Sequence, residues 1–424
     1  MTFEEIIHQQ YGIDEEVCRM GTLVEESLQN RFREIDEIRD FNQIKVLKAM
    51  QNAGLAERHL HGTTGYGYDD EGRDALDKIY ADVFDTEDAL VRSQIVCGTH
   101  AIALCYYGIL RPGDEVVAVT GKPYDTFDNV IGFDGNSSSI LAYGIKYRQV
   151  DLLPDGSPDY EGIAATVTEN TKMAVIQRSR GYDYRESFTM AEIGKIIAAV
   201  KEASPDTIVM VDNCYGEFVD TTEPTNVGAD IMAGSLIKNP GGGLAKTGGY
   251  IVGRKALVKL CAERLTVPGL GAHVGASIGN NRDMIQGFYM APHITSESLK
   301  GAVFTSAVFE RLGFETSPAS DSLRSDIVQA IKFNDPAKLI KFCKAIQMAA
   351  PVDSFVSPEP WDMPGYNDPV IMAAGAFIQG SSIELSADGP IRPPYIAYMQ
   401  GGLTYANVKL AALIAADQII KEGN

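Results

Sequence analysis

The chain has 424 residues, of which 45% are hydrophobic and 22% charged, enough for a large buried core and more than one domain. Acidic residues outnumber basic ones by 57 to 37, and the net charge of -20 disfavours binding to a polyanion such as DNA. No run approaches the roughly 18 apolar residues of a membrane helix. The start of the chain lacks the basic and apolar regions of a secretory signal. These features predict a cytoplasmic protein.

The six cysteines lie far apart and form no C-x-x-C pair. This spacing argues against a disulfide framework and against a zinc knuckle. We therefore expect reduced, mostly buried thiols and no metal site.

Apolar periodicity divides the chain into three parts. Residues 1–60 have helical spacing and predict an N-terminal helical arm. Within 61–285, short apolar runs alternate with amphipathic ones, which predicts a large α/β domain with a mostly parallel sheet flanked by helices. The strand-like runs are ALVRSQIV, EVVAVT, IKYRQV, MAVIQ, TIVMVD, DIMAG and GGYIVG, and the plainest helix is MAEIGKIIAAVKEA.

The hydrophobic pattern changes in residues 286–424, which contain long helical segments such as PAKLIKFCKAIQMAA and LTYANVKLAALIAADQII. The shorter runs AAGAFI and SSIELS are strand candidates. We expect a smaller C-terminal α+β domain.

The first candidate site is Gly98-Thr99-His100, between a predicted strand and a predicted helix. Backbone N–H groups at a helix start, together with a hydroxyl, can bind a phosphate, although a plain helix cap has the same pattern. A second candidate, Asp212, directly follows the apolar run 207–211. A carboxylate at the end of a buried strand can pair with a protonated pyridine nitrogen.

The third candidate is Lys238, in a glycine-rich loop after the strand candidate 229–233. Its amine could form a Schiff base, and Ser235, three residues earlier, could hydrogen-bond a phosphate. Tyr124 follows the strand candidate 115–120, where its ring could stack on a flat cofactor. For a lysine or a tyrosine taken alone, a surface charge or a core ring is the ordinary role.

In this order along the chain, these residues resemble the fold-type I family of pyridoxal phosphate enzymes, specifically its cystathionine and methionine lyase branch. The resemblance covers nearly the whole chain and implies the fold of that family, with a large domain containing a seven-stranded type of sheet and a smaller C-terminal domain. The group called aluminium resistance or methionine γ-lyase-like proteins is most similar in the segments GTHAIAL, GKPYDT, VDNCYGEF, GSLIKNPGGG and RPPYIAYMQGGLTY.

The resemblance implies that pyridoxal phosphate forms a Schiff base with Lys238, that Asp212 pairs with its pyridine nitrogen and that Tyr124 stacks on its ring. Thr99-His100 replaces the glycine-methionine step of better-known lyases, and His100 either flanks the cofactor or packs in the core. The implied phosphate contacts are Gly98, Thr99 and Ser235.

The relatives are dimers or tetramers in which a neighbouring subunit completes the site. The corresponding segment here is 64–73, and Tyr66, Tyr68 and Arg73 are the candidates to reach the second chain, with the two tyrosines favoured. For the carboxylate of an amino-acid substrate, Arg392 offers a bidentate guanidinium. Arg178 and Arg180 are rivals for that contact.

The reaction implied by the resemblance is cleavage of a carbon–sulfur bond in cystathionine or methionine. Lys238 would remove the α-proton, with Tyr124 or Lys238 as the later proton donor, and the products would be a thiol, ammonia and a keto acid. Aldolase, aminotransferase and racemase reactions share the first steps. A protein that binds the cofactor without catalysis has the same sequence features.

Two further motifs resemble those of other enzyme classes. Gly275-Ala276-Ser277-Ile278-Gly279 matches the G-x-S-x-G elbow of serine hydrolases, but a poor strand candidate precedes it. The run 241–247 lacks the glycine that a phosphate-binding P-loop requires before its lysine, so nucleotide binding is disfavoured. Lys246 in this run is the second choice for the Schiff base.

Overall fold

A computed structural model of the chain describes residues 2–363, 366 and 368–422. The chain forms two compact units. One consists of Met1–Asp40, Tyr182–Tyr184 and Pro292–Asn424, and the other of Phe41–Gly181 and Arg185–Ala291. The predicted domain limits at residues 61, 285 and 286 stay a prediction.

The helices follow the predicted pattern along the chain, including a helical segment before residue 60. The run MAEIGKIIAAVKEA forms a helix with the predicted limits, and a capping box between Thr189 and Glu192 fixes its first turn. No helix in the described part of the chain is long and apolar enough to cross a membrane. The α-helices are α1 Phe3–Tyr11, α2 Glu15–Ser27, α3 Gln29–Asn52, α4 Glu71–Val83, α5 Gly98–Ile109, α6 Asp128–Ile131, α7 Tyr160–Thr166, α8 Met190–Ala203, α9 Lys255–Leu265, α10 Asn281–Arg311, α11 Pro336–Met348 and α12 Tyr405–Glu422.

The unit formed by Phe41–Gly181 and Arg185–Ala291 is built on a seven-stranded sheet. Its strands are β1 Asp88–Arg92, β2 Glu115–Ala118, β3 Lys146–Gln149, β4 Thr171–Gln177, β5 Ile208–Asp212, β6 Ile231–Ser235 and β7 Gly249–Gly253. The spatial order is β1-β7-β6-β5-β4-β2-β3. β7 pairs antiparallel with both β6 and β1, and the other pairs are parallel. The prediction of a mostly parallel sheet flanked by helices is confirmed.

Both faces of this sheet are buried, which explains its continuous apolar runs. On β5, Ile208 and Met210 pack in a cluster with residues of α5 and α9, while Val209 and Val211 pack in a second cluster with residues of α8. Because side chains alternate along a strand, both sets must be apolar. The sheet therefore forms a rigid base for the residues at its edges.

The other unit contains an antiparallel sheet with the strand order β10-β11-β12-β9-β8. The predicted strand AAGAFI is wrong beyond Ala373. After this residue the chain packs closely on other residues, since a Cβ atom on Gly375 would lie 2.3 Å from Cβ of Ala350 and 2.3 Å from the backbone oxygen of Val352. SSIELS is also wrong as a strand, since only its last residue, Ser386, is in one. These strands are β8 Glu315–Ser317, β9 Gln329–Lys332, β10 Val370–Ala373, β11 Ser386–Pro390 and β12 Ile396–Gln400.

Candidate active site

Several polar side chains follow the carboxyl ends of neighbouring parallel strands. Gln177 ends β4 and pairs with Asp212, which ends β5, and Ser235 ends the adjacent strand β6. Open parallel sheets bind ligands at this edge. A pocket here is lined by residues of α5, of the ends of β2, β4 and β5 and of the segment after β2, including Thr120, Tyr124, Gln177 and Asp212.

Lys238 lies three residues beyond the end of β6 and is partly buried. Its Nζ is 3.9 Å from the centre of the Tyr215 ring. Burial acts to lower the pKa of Lys238, but the groups around it, Cys214, Tyr215, Asp212 and Tyr124, raise it above its usual range. Near pH 7, where Cys214 and Tyr124 are neutral, the charge of Asp212 favours an ammonium on Lys238.

The Asp212 side chain is buried, and one of its oxygens accepts a hydrogen bond from the backbone N–H of Cys214 at 3.1 Å. Burial raises the pKa of Asp212, while the charge of Lys238 acts to lower it. A cation facing this carboxylate would therefore keep it ionised.

Tyr124 and Thr99 are in direct contact. The Tyr124 hydroxyl donates a 2.9 Å hydrogen bond to Oγ1 of Thr99, and the Tyr124 backbone N–H donates to Oε1 of Gln177 at 2.9 Å. Burial, followed by the charge of Asp212, raises the pKa of Tyr124 well above its usual value. The tyrosine is thus neutral and tied to the start of α5.

The start of α5 packs directly against the end of β6. A Cβ atom on Gly98 would lie 3.3 Å from Sγ of Cys214 and 3.3 Å from Cβ of Ser235. The absence of a side chain at residue 98 therefore lets the N-terminal N–H groups of the helix approach this edge of the sheet. The Ser235 hydroxyl oxygen accepts a hydrogen bond from the backbone N–H of Ile237.

His100 lies in the first turn of α5, where its Nδ1 is 3.2 Å from the backbone N–H of Val96. The ring nitrogen accepts this hydrogen bond, and burial lowers the pKa of His100. Its imidazole is neutral and helps to fix the loop before the helix. Contact with the cofactor stays a prediction.

The rival lysine has a different environment. Lys246 is 70% exposed and forms a 2.7 Å ion pair with Asp283. Its amine faces solvent, whereas that of Lys238 lies against the Tyr215 ring and close enough to Asp212 and Tyr124 to interact electrostatically with them. The geometry favours Lys238 as the nucleophilic amine.

Arg178 is 1% exposed and lies in a buried polar network. Its Nη1 donates to Oδ1 of Asn213 and to the backbone oxygen of Gly216, and it is 3.6 Å from Glu223. Arg178 thus supports the turn that follows β5. Its predicted contact with a substrate carboxylate stays a prediction, as does that of the other buried rival, Arg180.

Arg392 belongs to the unit with the antiparallel sheet. Its guanidinium is 45% exposed and forms a 3.1 Å ion pair with Asp368. Its role in binding a substrate carboxylate stays a prediction.

The segment 62–73 packs against the backbone of residues 275–279. A Cβ on Gly67 would lie 2.5 Å from the backbone nitrogen of Ala276. The lack of a side chain at Gly67 therefore allows these two backbone segments to pack closely. Arg73 is 2% exposed and donates to the backbone oxygens of Gly67 and Gly275, so its guanidinium is used within its own unit.

Tyr66 and Tyr68 point outward from this segment and are 73% and 56% exposed. Their rings stack at a centroid distance of 5.5 Å. Two adjacent exposed aromatic rings on a tightly held segment form a surface suited to contact with another molecule. Their predicted contribution to a second subunit stays a prediction.

Asp70 anchors the segment and caps α4, which begins at Glu71. Its carboxylate accepts hydrogen bonds from Thr63, Ser277, Asn281 and the backbone N–H of Arg73. Burial alone would raise the pKa of Asp70, but these hydrogen bonds lower it below its usual range. The Ser277 hydroxyl is thus bound to a structural carboxylate.

We expect Asp70→Asn to destabilise the protein at neutral pH by about 2 kcal/mol, because the new amide group cannot accept all the hydrogen bonds that the carboxylate accepts. Urea unfolding measures the change. Asp69→Asn is the matched control, since Asp69 is an exposed neighbour with φ of 55°, which asparagine tolerates. Equal loss in both variants would contradict the anchoring role of Asp70.

The serine-hydrolase alternative gains no support from this geometry. The residues before Ser277 include a 3-10 helix, Gly271–His273, in place of the strand that a nucleophile elbow requires. Ser277 donates to Asp70 at 2.6 Å, as described above.

Two residues near Lys238 were missed in the sequence. Tyr215 contacts Nζ of Lys238, and Asn239 donates to the backbone oxygens of Tyr215 and Glu217 at 3.0 and 2.9 Å. Tyr215 has φ of 73°, a left-handed conformation that sequence patterns do not predict for tyrosine. Proximity to Asp212 along the chain was the available signal.

A family model described as methionine gamma-lyase matches residues 17–420. The chain belongs to the methionine gamma-lyase family. This finding confirms the family resemblance identified in the sequence.

Similar proteins support this membership. A solved structure of a carbon-sulfur lyase involved in aluminum resistance from Clostridium novyi is 51% identical, with a TM-score of 0.94 and 98% of each chain covered. The uncharacterized protein YnbB of Bacillus subtilis is 53% identical over 94% of this chain and 95% of its own length. The pyridoxal-5'-phosphate dependent protein YhfS of Escherichia coli, 15% identical with a TM-score of 0.61, shares the fold over 90% of this chain and 96% of its own. The predicted fold class, fold type I, is confirmed.

The residues of this methionine gamma-lyase family member fit pyridoxal phosphate, the cofactor that the family and fold imply. A buried carboxylate, a lysine amine and an aromatic ring lie near one another, at Asp212, Lys238 and Tyr124. Gly98 leaves room at a helix start, where an anionic phosphate is favoured. The donor set thus matches an aldehyde, a pyridine ring and a phosphate.

Proposed function

We propose that this protein is a pyridoxal phosphate-dependent carbon–sulfur lyase that acts on a sulfur amino acid of the cystathionine or methionine type. The observation that carries the proposal is the grouping of Lys238, Asp212 and Tyr124 at the carboxyl edge of the sheet, beside the start of α5. The names of relatives in the family support the substrate class.

The proposed contacts divide among three groups of residues. Lys238 carries the cofactor through its amine, and Asp212 pairs with the pyridine nitrogen. The Tyr124 ring stacks on the cofactor, and its hydroxyl is held by Thr99. Contacts of the phosphate are proposed for Gly98, Thr99 and Ser235.

Bound pyridoxal phosphate supplies an electron sink for the negative charge left at the α-carbon of an amino acid. With the cofactor bound, Nζ of Lys238, as a neutral amine, would be the base that removes the α-proton of the substrate. Lys238 or the neutral hydroxyl of Tyr124 would then donate a proton to the sulfur leaving group. The raised pKa of Tyr124 keeps its proton in place for that step.

A second copy of the chain is part of this proposal. The stacked rings of Tyr66 and Tyr68 are exposed although their segment is anchored by Asp70, and this supports a contact with a neighbouring subunit. Sedimentation equilibrium is expected to give a mass of at least two chains. A monomer at micromolar concentration would contradict this part of the proposal.

The direct test is the visible absorption of the purified protein after addition of pyridoxal phosphate, with assays of keto acid and thiol released from cystathionine and from methionine. A cofactor band together with both products supports the lyase. A cofactor band with a new amino acid or an inverted α-carbon would instead indicate an aldolase, an aminotransferase or a racemase. A cofactor band that no amino acid changes would indicate a binding protein, and no band at all would contradict the proposal.

A further inference from the structure

Tyr215 lies in the turn after β5, three residues beyond Asp212, with φ of 73°. Residues other than glycine rarely adopt this left-handed conformation, and they do so where the surrounding contacts impose it. Such a conformation in a tyrosine beside the candidate active site indicates that the position of its ring matters.

The turn is held from two sides. The backbone N–H of Gly216 donates to the oxygen of Asn213 at 2.9 Å, and Arg178 donates to both of these residues. On the other side, the amide of Asn239 donates to the backbone oxygen of Tyr215 at 3.0 Å. Because Asn239 directly follows Lys238, this hydrogen bond fixes the tyrosine relative to the lysine.

The ring of Tyr215 meets the end of the Lys238 side chain. The distance of 3.9 Å from Nζ to the ring centre is well within the roughly 6 Å at which a cation is attracted to an aromatic face. The attraction acts on the ammonium and not on the neutral amine. The contact therefore depends on the charge of Lys238.

We propose that Tyr215 is a positioning residue whose ring receives Nζ of Lys238 whenever that nitrogen is both protonated and not bonded to the cofactor. The inference rests on the proposed function, because it assigns Tyr215 a role toward the proposed catalytic lysine. The ring gives the Lys238 ammonium an attractive group in addition to the Asp212 carboxylate. If Asp212 is paired with the pyridine nitrogen, the Tyr215 ring still offers a negative face to Nζ after that nitrogen has taken up a proton.

Other groups also face the Lys238 amine and affect its charge. A carboxylate lies at the end of β5, a thiol and a second carboxyl group lie in the segment after it, and a phenol lies in the segment after β2. Burial raises the pKa of the thiol well above its usual value, so it stays neutral near pH 7. The groups are Asp212, Cys214, Glu217 and Tyr124.

The test replaces Tyr215 with phenylalanine and with its mono-, di- and trifluorinated analogues, so that the negative face of the ring weakens while its shape is nearly constant. The cofactor-free full chain is treated with acetic anhydride at one fixed pH, and acetylation of Lys238 is followed by mass spectrometry. Because only the neutral amine reacts, the rate reports the stability of the ammonium. Lys246, which is exposed and ion-paired with Asp283, is the internal reference.

We expect Lys238 to react faster with each added fluorine, by about five- to tenfold from Tyr215→Phe to the trifluorinated variant, and Lys246 to react at a constant rate. Equal rates at Lys238 across the series would overturn the inference. Circular dichroism of each variant checks the fold, and the near-constant ring shape separates loss of attraction from increased access. The assay contains no pyridoxal phosphate, so it remains decisive even if the protein fails to bind the cofactor and the proposed function is wrong.

Discussion

Lys238→Ala is expected to abolish the visible absorption of bound pyridoxal phosphate and to reduce keto-acid release by about a thousandfold or more. The loss of a general base alone typically costs between about a hundredfold and ten thousandfold in rate. Lys238 is also the proposed point of attachment, and its amine lies close enough to Asp212 and Tyr124 to interact electrostatically with them. Both absorbance and turnover should therefore change in one variant.

Lys246→Ala is the matched control for this experiment. Lys246 lies eight positions later in the same glycine-rich region, but it is 70% exposed and ion-paired with Asp283. We expect its removal to leave the absorption band and the rate unchanged. The assignment of the two lysines would be reversed if Lys246→Ala lost the absorption band while Lys238→Ala retained it.

Glu217→Gln is expected to make the protein more stable at alkaline pH. Glu217 is fully buried, its Oε1 accepts a 2.6 Å hydrogen bond from the Tyr250 hydroxyl, and its Oε2 has no hydrogen-bond partner among the described residues. Burial raises the pKa of Glu217 from 4.5 to about 8. The carboxyl group is therefore protonated in the folded protein near neutral pH.

The direction of the effect follows from proton binding. Between the unfolded pKa of 4.5 and the folded pKa of about 8, the folded state holds a proton that the unfolded state releases. Stability due to this group is thus fully present below about pH 4.5 and is lost as the pH rises to about 8. At about 1.4 kcal/mol for each pKa unit, the total loss is on the order of 5 kcal/mol.

Glutamine has the same shape as the protonated side chain and does not ionise, so Glu217→Gln removes this loss. The measurement is the free energy of urea unfolding of the cofactor-free protein at pH 5, 7 and 9. The advantage of the variant over the wild type should grow across the series. Glu169→Gln, at an exposed turn position, should instead follow the wild type. A constant difference between Glu217→Gln and wild type would show that Glu217 is not protonated in the folded state.

Parts of the molecule whose signals are local could be predicted from the sequence. The strands of the seven-stranded sheet and α8 can each be recognised from the spacing of their own apolar residues. Asp212, Ser235 and Lys238 occur at or soon after strand ends. Parallel strands bring such ends to one edge of the sheet, so the grouping of these residues follows from their positions. The order of these residues along the chain also identified the family.

Other features depend on contacts between distant residues, and only the tertiary structure decided them. From the sequence, Arg73 and Arg178 are candidates to bind a ligand. In the fold, each donates a hydrogen bond from Nη1 to a backbone oxygen that is distant along the chain or lies in a neighbouring turn. The strand predicted at 373–378 ends at Ala373, and Gly375 then packs closely on residues near 350.

The position of Tyr215 shows the same limit. Its left-handed backbone is imposed by Asn239 and by the network of Arg178, neither of which a local pattern of tyrosine and glycine reveals. The sequence by itself determined the fold class, the family and the lysine–aspartate pair, because each has a local pattern or a fixed order. The environment of each charged group was decided by the tertiary structure, because burial and hydrogen bonding depend on residues far apart in the chain.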